Sequence, residues 1–349
     1  MRMLGWGVFS AERRRGGRVV RCEEWEATRV LLRVALVVCA LPAVAACASA
    51  GRSAAWEKQE EGGGAANTGA PAERVSTEEP SRDDARGLRE LFERAEARWA
   101  ARDDRAATLE AIRLWEQVVE RDPHHWRALT RLSRAYHFVA DAHLEGAAPS
   151  AGELEQLRGE YHQKGADAGE LALMELEPQF ARTMREGGDF VEAMTAIRPD
   201  AVEAAYWYCS NLSRFSQIRG FRTKLFYKDR VAGAMHRIRE LDAPFQQGGA
   251  DRVLGALYAT LPSMAGKDLE RSEQHFRAAQ ALGPTYLGNY LLEAELLAVQ
   301  RGERQRYVEL LQGVLAAPAG EDPDTAPENR VAKRAAQRLL APREIDARF

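Results

Sequence analysis

From Leu88 onward one pattern recurs: an apolar stripe at helical spacing, brought to a stop by a proline. Tyr307, Leu310, Leu311, Val314 and Leu315 fall at i, i+3, i+4, i+7 and i+8, which places them on one face of an α-helix. Leu269, Ser272, Phe276 and Ala279 share a face in the same way, as do Ala111, Trp115, Val118 and Val119. The runs end at Glu120-Arg121-Asp122-Pro123, Leu176-Glu177-Pro178, Leu241-Asp242-Ala243-Pro244 and Leu282-Gly283-Pro284. Proline lacks the N–H that a helix needs and disfavours helical geometry in the residue before it, so each proline marks a stop. Ala, Leu, Glu and Arg dominate this part of the chain and β-branched residues are scarce, which favours helix over sheet. The expected fold is all-α, a stack of antiparallel helix pairs over residues 85–340, with a tail at 341–349.

Two stretches resemble the tetratricopeptide repeat. Leu254-Gly255-x-x-Tyr258 matches its first helix, and Ser272, Phe276, Ala279 and Pro284 match its second at the small, aromatic, small and proline positions. Ala111, Trp115, Val118 and Pro123 repeat that second pattern. The small residue lets two helices approach while the aromatic fills the gap between them. A single helix pair cannot cover its own apolar face, so the pairs must stack. The prolines lie 55, 66 and 40 residues apart, wider than a regular repeat, so the repeats are degenerate and carry insertions: an α-solenoid or superhelical bundle.

The N-terminus reads differently. Residues 34–46, VALVVCALPAVAA, form an apolar run behind Arg29 and Arg33, too short to span a bilayer and suited to the core of a signal peptide. The run ends in Val44-Ala45-Ala46-Cys47, which resembles a bacterial lipobox, with Cys47 as the lipid anchor of the mature chain. Residues 47–84 are rich in Gly, Ala, Ser, Glu and Pro without apolar periodicity, the composition of a flexible tether. Ala48 follows Cys47 where enteric lipoproteins held in the inner membrane carry Asp, so the resemblance points to the outer membrane, facing the periplasm. Residues 1–28 are too long and too mixed in charge for a signal n-region, which points to a translation start near Val30.

Charge limits the partners. The full chain carries −3; residues 1–46 hold eight Arg and four Glu, which leaves the remainder at −7. A mildly acidic body gives no reason to expect nucleic acid. Cys209 is the one cysteine beyond Cys47, so no disulfide framework is expected.

Motifs for chemistry are missing. His124 and His125 are adjacent and diverge on a helix, while His137 and His143 stand six apart, neither i+3 nor i+4. These histidines are read as solvated or capping, and no metal is expected. Cys209, inside Tyr206-Trp207-Tyr208-Cys209-Ser210-Asn211-Leu212, is a core or lining residue without a signature for nucleophilic chemistry. Glycine pairs 187–188 and 248–249 read as turns. Glu293 and Glu295 are expected on a solvated face. No cofactor motif occurs, and an enzyme is not expected. The segment 214–230 sets Arg214, Arg219, Arg222, Lys224, Lys228 and Arg230 among Phe215, Phe221, Phe226 and Tyr227. It is either a solvated helix face over buried aromatics or a contact for lipid headgroups or an acidic protein surface.

The ordered series EAAYWYCSNLSRF, VAGAMHRIRELD, GGADRVLGALYATLP, KDLERSEQHFRAAQALGPTYLGNYLLEAELLAV and PENRVAKRAAQRLL, from 203 to 340, resembles the T-component lipoproteins associated with tripartite ATP-independent periplasmic (TRAP) transporters. The resemblance implies a homotrimer around a channel, a periplasmic substrate-binding protein as partner, and a hydrophobic or amphipathic small molecule as ligand during solute uptake. It places Tyr206, Trp207 and Asn211 as ligand- or pore-lining residues, and Trp115, Tyr258, Pro262 and Phe276 as repeat-packing residues. Ala265-Gly266-Lys267-Asp268 stands where the family has a Gly-Gly-Asp turn. The alternative is a repeat-built scaffold lipoprotein for envelope assembly, with no ligand. Three consecutive aromatics, Tyr206, Trp207 and Tyr208, span too much of a helix for one packing stripe. Either neighbours bury the helix on both sides or one ring faces a binding surface.

Overall fold

The computed structural model describes Ala54, Ala55 and residues Arg82–Phe349. The export segment, Cys47 and most of the tether lie outside the described residues. Helices occur in the order α1 (Arg82–Trp99), α2 (Arg105–Arg121), α3 (Trp126–Ala142), α4 (Ala151–Leu176), α5 (Pro178–Arg185), α6 (Phe190–Met194), α7 (Val202–Arg219), α8 (Phe221–Leu241), α9 (Phe245–Thr260) and α10 (Leu269–Leu282). Then α11 (Leu287–Leu292) runs through a π-helical turn (Glu293–Ala298) into α12 (Val299–Arg301), followed by α13 (Arg304–Ala316), α14 (Ala326–Leu339) and α15 (Pro342–Asp346). No strand occurs among the described residues.

All four prolines read from sequence fall at helix ends: α2 stops one residue before Asp122-Pro123, α4 yields to Pro178 at the first position of α5, α8 stops ahead of Pro244 and α10 ahead of Pro284. Starts are set by side-chain caps. Asp104, Ser150, Asp189 and Asp268 each accept a hydrogen bond from the backbone N–H three residues on, satisfying donors that the first turn leaves free. The first helix opens at Arg82, inside the segment expected as tether; Asp83 and Asp84 stand in its first turn, where the positive end of the helix dipole favours acids.

The helices pair as α1–α2, α3–α4, α7–α8 and α9–α10, with α11 and its π turn against α13. In the α9–α10 pair Ser272 Oγ donates to the Gly255 carbonyl at 2.7 Å. Phe276 is fully buried, and a Cβ added at Gly255 would stand 3.0 Å from its ring. The repeat reading of that pair is therefore met atom by atom. Trp115 is fully buried in the α1–α2 unit, its ring 5.8 Å from Trp99. Tyr258 is buried and its ring stacks on His275 at 5.6 Å. Pro262 opens the turn after α9: its carbonyl accepts from Ala265 and Lys267, with Gly266 at φ 102°. That left-handed glycine lets the Ala-Gly-Lys-Asp sequence make the turn and still deliver Asp268 as a cap.

The stack does not stay open. Arg102, in the turn after α1, donates to Glu328 on α14 at 2.7 and 2.9 Å, and Arg330 pairs with Asp103 at 2.6 Å. The turn after α1 thus meets α14, and α3, α4, α7, α9 and α11, together with α14, line one partly open space. Residues 341–349, expected as a tail, are ordered instead: Pro342 starts α15 and Phe349 packs on Tyr307 at 5.4 Å.

Candidate functional site

This space is a cavity of about 510 Å³, within the range that holds a small organic molecule. Tyr206 and Trp207 on α7 line it, with Arg134, His137 and Asp141 from α3, His162 from α4, Arg252 from α9, Tyr286, Leu291 and Glu295 from α11 and its neighbours, and Glu328 from α14. Asn211 does not. It lies one turn behind the wall, fully buried; its amide donates to the carbonyls of Ser133 and Trp207 at 3.0 and 2.9 Å. Its oxygen receives His162 Nδ1 at 3.1 Å. Asn211 therefore sets the helix α7 and the His162 ring in place and leaves the lining to its neighbours.

Tyr206, Trp207 and Tyr208 are all buried, because α7 has helices on both sides and the cavity on its inner face. Neighbouring helices thus bury the whole aromatic run, while Tyr206 and Trp207 also border the cavity. Tyr208 turns to the core and donates to Glu170 at 2.8 Å, the carboxylate that also accepts the Ala55 backbone N–H. Cys209 is fully buried in the same core.

Among the histidines read as solvated or capping, His124, His125 and His143 fit that reading and His137 does not. His125 caps α3, accepting from Ala128, and His124 is exposed beside Glu175. His143 is buried at the end of α3 against Thr108 and the Arg102 carbonyl. His137, however, meets His162, 25 residues on, at a ring separation of 5.1 Å across the α3–α4 contact. Asp141 stands between them, 3.4 and 3.5 Å from their ring nitrogens, and receives Arg214 at 3.1 Å. Burial alone would raise the Asp141 carboxyl, yet the Arg214 charge and a hydrogen bond from His162 hold it well below the usual carboxylate range. Burial pushes His137 down to about 3 against the attraction of Asp141, so it is neutral near pH 7. Arg214 of the basic run is thus a cavity residue. No group of metal-ligating side chains occurs among the described residues.

Glu293 and Glu295 also depart from the solvated reading. Glu293 is buried and paired with Arg306 at 2.9 Å. Glu295 faces the cavity, and burial raises its carboxyl against the pull of Arg214. The π turn that carries both widens the helix there; such turns recur at functional sites. It was not legible in LLEAELLAV, which reads as ordinary helix.

Three buried polar atoms of the wall have no hydrogen-bond partner: Trp207 Nε1, Ser210 Oγ and His137 Nδ1. Leaving such groups unsatisfied costs roughly 1–3 kcal/mol each, and all three belong to residues that line one cavity. Ser210, His137 and Asp141 are the residue types of a hydrolytic triad. Ser210 Oγ makes no hydrogen bond to any base, and a nucleophile needs one within reach.

A family model for the TRAP transporter T-component matches residues 105–345, most of the chain and nearly all of the described helices. The chain belongs to the TRAP transporter T-component family. Comparison with curated proteins gives no match. The T-component match spans every wall of the cavity except Arg348. Among the described residues no helix of this T component is long and apolar enough to cross a membrane.

Proposed function

We propose that this T component is a periplasm-facing lipoprotein that receives an amphipathic small molecule in its central cavity and works with a TRAP-type substrate-binding protein in solute uptake. The cavity carries the reading: one space bears apolar side chains, ionised groups and residues with three unpartnered polar atoms on its walls. Its mixed character refines the expectation of a hydrophobic ligand, since arginines and carboxylates favour a molecule with a polar end. Lipidation of Cys47 and an outer-membrane position rest on the sequence alone. A homotrimer and the partner protein rest on the family.

A surface for that partner is supported by α8. Phe221 and Phe226 are half exposed, 50% and 49%, and Arg230 lies over the Phe226 ring at 5.5 Å. Exposed aromatics beside cations are common centres of protein contacts.

Native mass spectrometry of the full chain, purified from its own host, tests this reading. A trimer with a co-purifying organic molecule, and retention of a TRAP substrate-binding protein, are the expected results. A clean monomer with no bound molecule would favour the scaffold alternative, and turnover of a substrate would overturn the account.

A further inference from the structure

Arg252 is the odd charge of the cavity. Its side chain is 6% exposed, and guanidinium stays protonated at any ordinary pH. Buried charges are normally paired, because desolvating an unpaired one costs several kcal/mol. Yet among the described residues Arg252 contacts no carboxylate. Its acceptors are the Gln246 carbonyl at 3.1 Å, Asn289 Oδ1 at 2.9 Å and the Tyr206 hydroxyl at 2.9 Å, and its plane lies 4.6 Å above the Tyr286 ring. Nη1 uses both its hydrogens on Gln246 and Asn289. Nη2 uses one on Tyr206. That leaves Nε–H and one N–H of Nη2 without an acceptor, on a residue that lines the cavity.

The surroundings hold Arg252 there deliberately. Gln246 and Gln247 sit at φ 50° and 57°, a left-handed conformation unfavourable to side chains with a Cβ. This strained turn aims the Gln246 carbonyl at Arg252 and the Gln247 carbonyl at Asn289 Nδ2, 3.1 Å away. Strain of this kind is tolerated where it fixes a group for a purpose. The local charge points the same way: Glu328 is shared by Arg102 and Arg134, so the end of the cavity holding Arg134 and Arg252 carries more positive than negative charge. Beside it stand Trp207 Nε1 and Ser210 Oγ, unpartnered, and the apolar side chains of Ala256, Leu291 and Leu292.

Resting on the ligand-binding reading above, we infer that Arg252 is the anion-binding residue of the cavity, taking the carboxylate of an organic acid whose apolar part lies against Ala256, Leu291 and Leu292. Two N–H groups of a guanidinium match the two oxygens of a carboxylate. Trp207 Nε1–H and the Ser210 hydroxyl supply the further donors.

Calorimetric titration of the full chain with octanoate, octanol and octyltrimethylammonium separates charge from chain. Octanoate is expected to bind at least about tenfold tighter than octanol, the scale of one charge-assisted contact, with the cation weakest. Arg252→Gln should bring octanoate down to the affinity of octanol, and Arg252→Lys should keep part of the preference. Because Arg252 also holds the strained turn, Trp207→Phe and Ser210→Ala serve as second variants: each removes a hydrogen-bonding group with no partner to lose. Each should weaken octanoate by roughly fivefold, the net worth of a neutral hydrogen bond, with helical circular dichroism unchanged. Equal binding of octanoate and octanol by the wild type would overturn the assignment of Arg252 and leave the cavity reading standing. No binding of any of the three would sink the cavity reading with it.

Discussion

Phe276 and His137 show what a single side chain does here. Phe276 fills the gap that Gly255 opens, with no exposed surface. Truncating a buried Phe removes its transfer free energy and leaves a hole, so Phe276→Ala should cost about 3–5 kcal/mol, read as a lowered urea midpoint. An unchanged midpoint would refute the packing of the α9–α10 pair. His137 gives a pH effect of definite sign. Its folded pKa, about 3, lies below the ordinary 6.5, and burial lowers His143 and His236 in the same direction. The unfolded chain takes up protons that the native state refuses. The stability that His137 contributes is therefore fully present above pH 6.5 and is lost as pH falls toward 3. His137 sheds about 1.4 kcal/mol per pH unit in that window. Urea denaturation repeated at falling pH should show this decline, and His137→Asn should flatten it by about one proton. Stability constant between pH 7 and pH 5 would contradict the buried, neutral state. Phe276 was legible because repeat chemistry spaces small and aromatic residues regularly. His137 and Arg252 were not: their surroundings come from four or five helices, and in sequence each is an ordinary charged position on an amphipathic run.

At the scale of the helix, the prolines and caps set where elements begin and end, and both can be read from local sequence. What positions the site is how closely α4 approaches α7. A Cβ at Gly169 would meet the Tyr208 backbone nitrogen at 2.9 Å, and one at Gly165 would meet the Asn211 amide at 2.5 Å. Backbone cannot yield as a flexible side chain can. Gly169→Ala should therefore destabilise the fold by about 1–3 kcal/mol, despite the better helix propensity of alanine, and should shift Tyr208 and Trp207 together. A stabilised variant with unaltered tryptophan fluorescence would show that the two helices have room. This glycine pair was not read as a contact, because a small residue inside a long helix has no signal that names its partner. The π turn at Glu293–Ala298 and the left-handed turn at Gln246–Gly248 were hidden for a related reason. Both depend on what Glu295, Arg252 and Asn289 meet across the cavity, so local propensity alone does not predict them.

Closure of the whole molecule rests on Glu328. It accepts from Arg102 and Arg134, 226 and 194 residues away in sequence, tying the early part of the chain to α14 by a contact that no local pattern announces. Glu328→Gln would leave two buried guanidiniums short of their counter-charge. The expected cost is about 3–5 kcal/mol, with faster amide exchange in α1 and α14 as the ends part. A variant as stable and as protected as the wild type would mean that the ring is held by apolar packing alone. Family and fold class were legible from ordered motifs and periodicity, whereas the ring and its charged interior appear only when the helices are assembled. The account stands or falls on what that interior holds. A crystal structure of the full chain purified from its own host measures it directly. The predicted result is continuous density for one organic molecule, its anionic end at Arg252 and its apolar part beside Leu291 and Leu292. Separate water peaks alone, with Arg252 turned to a protein carboxylate, would contradict it.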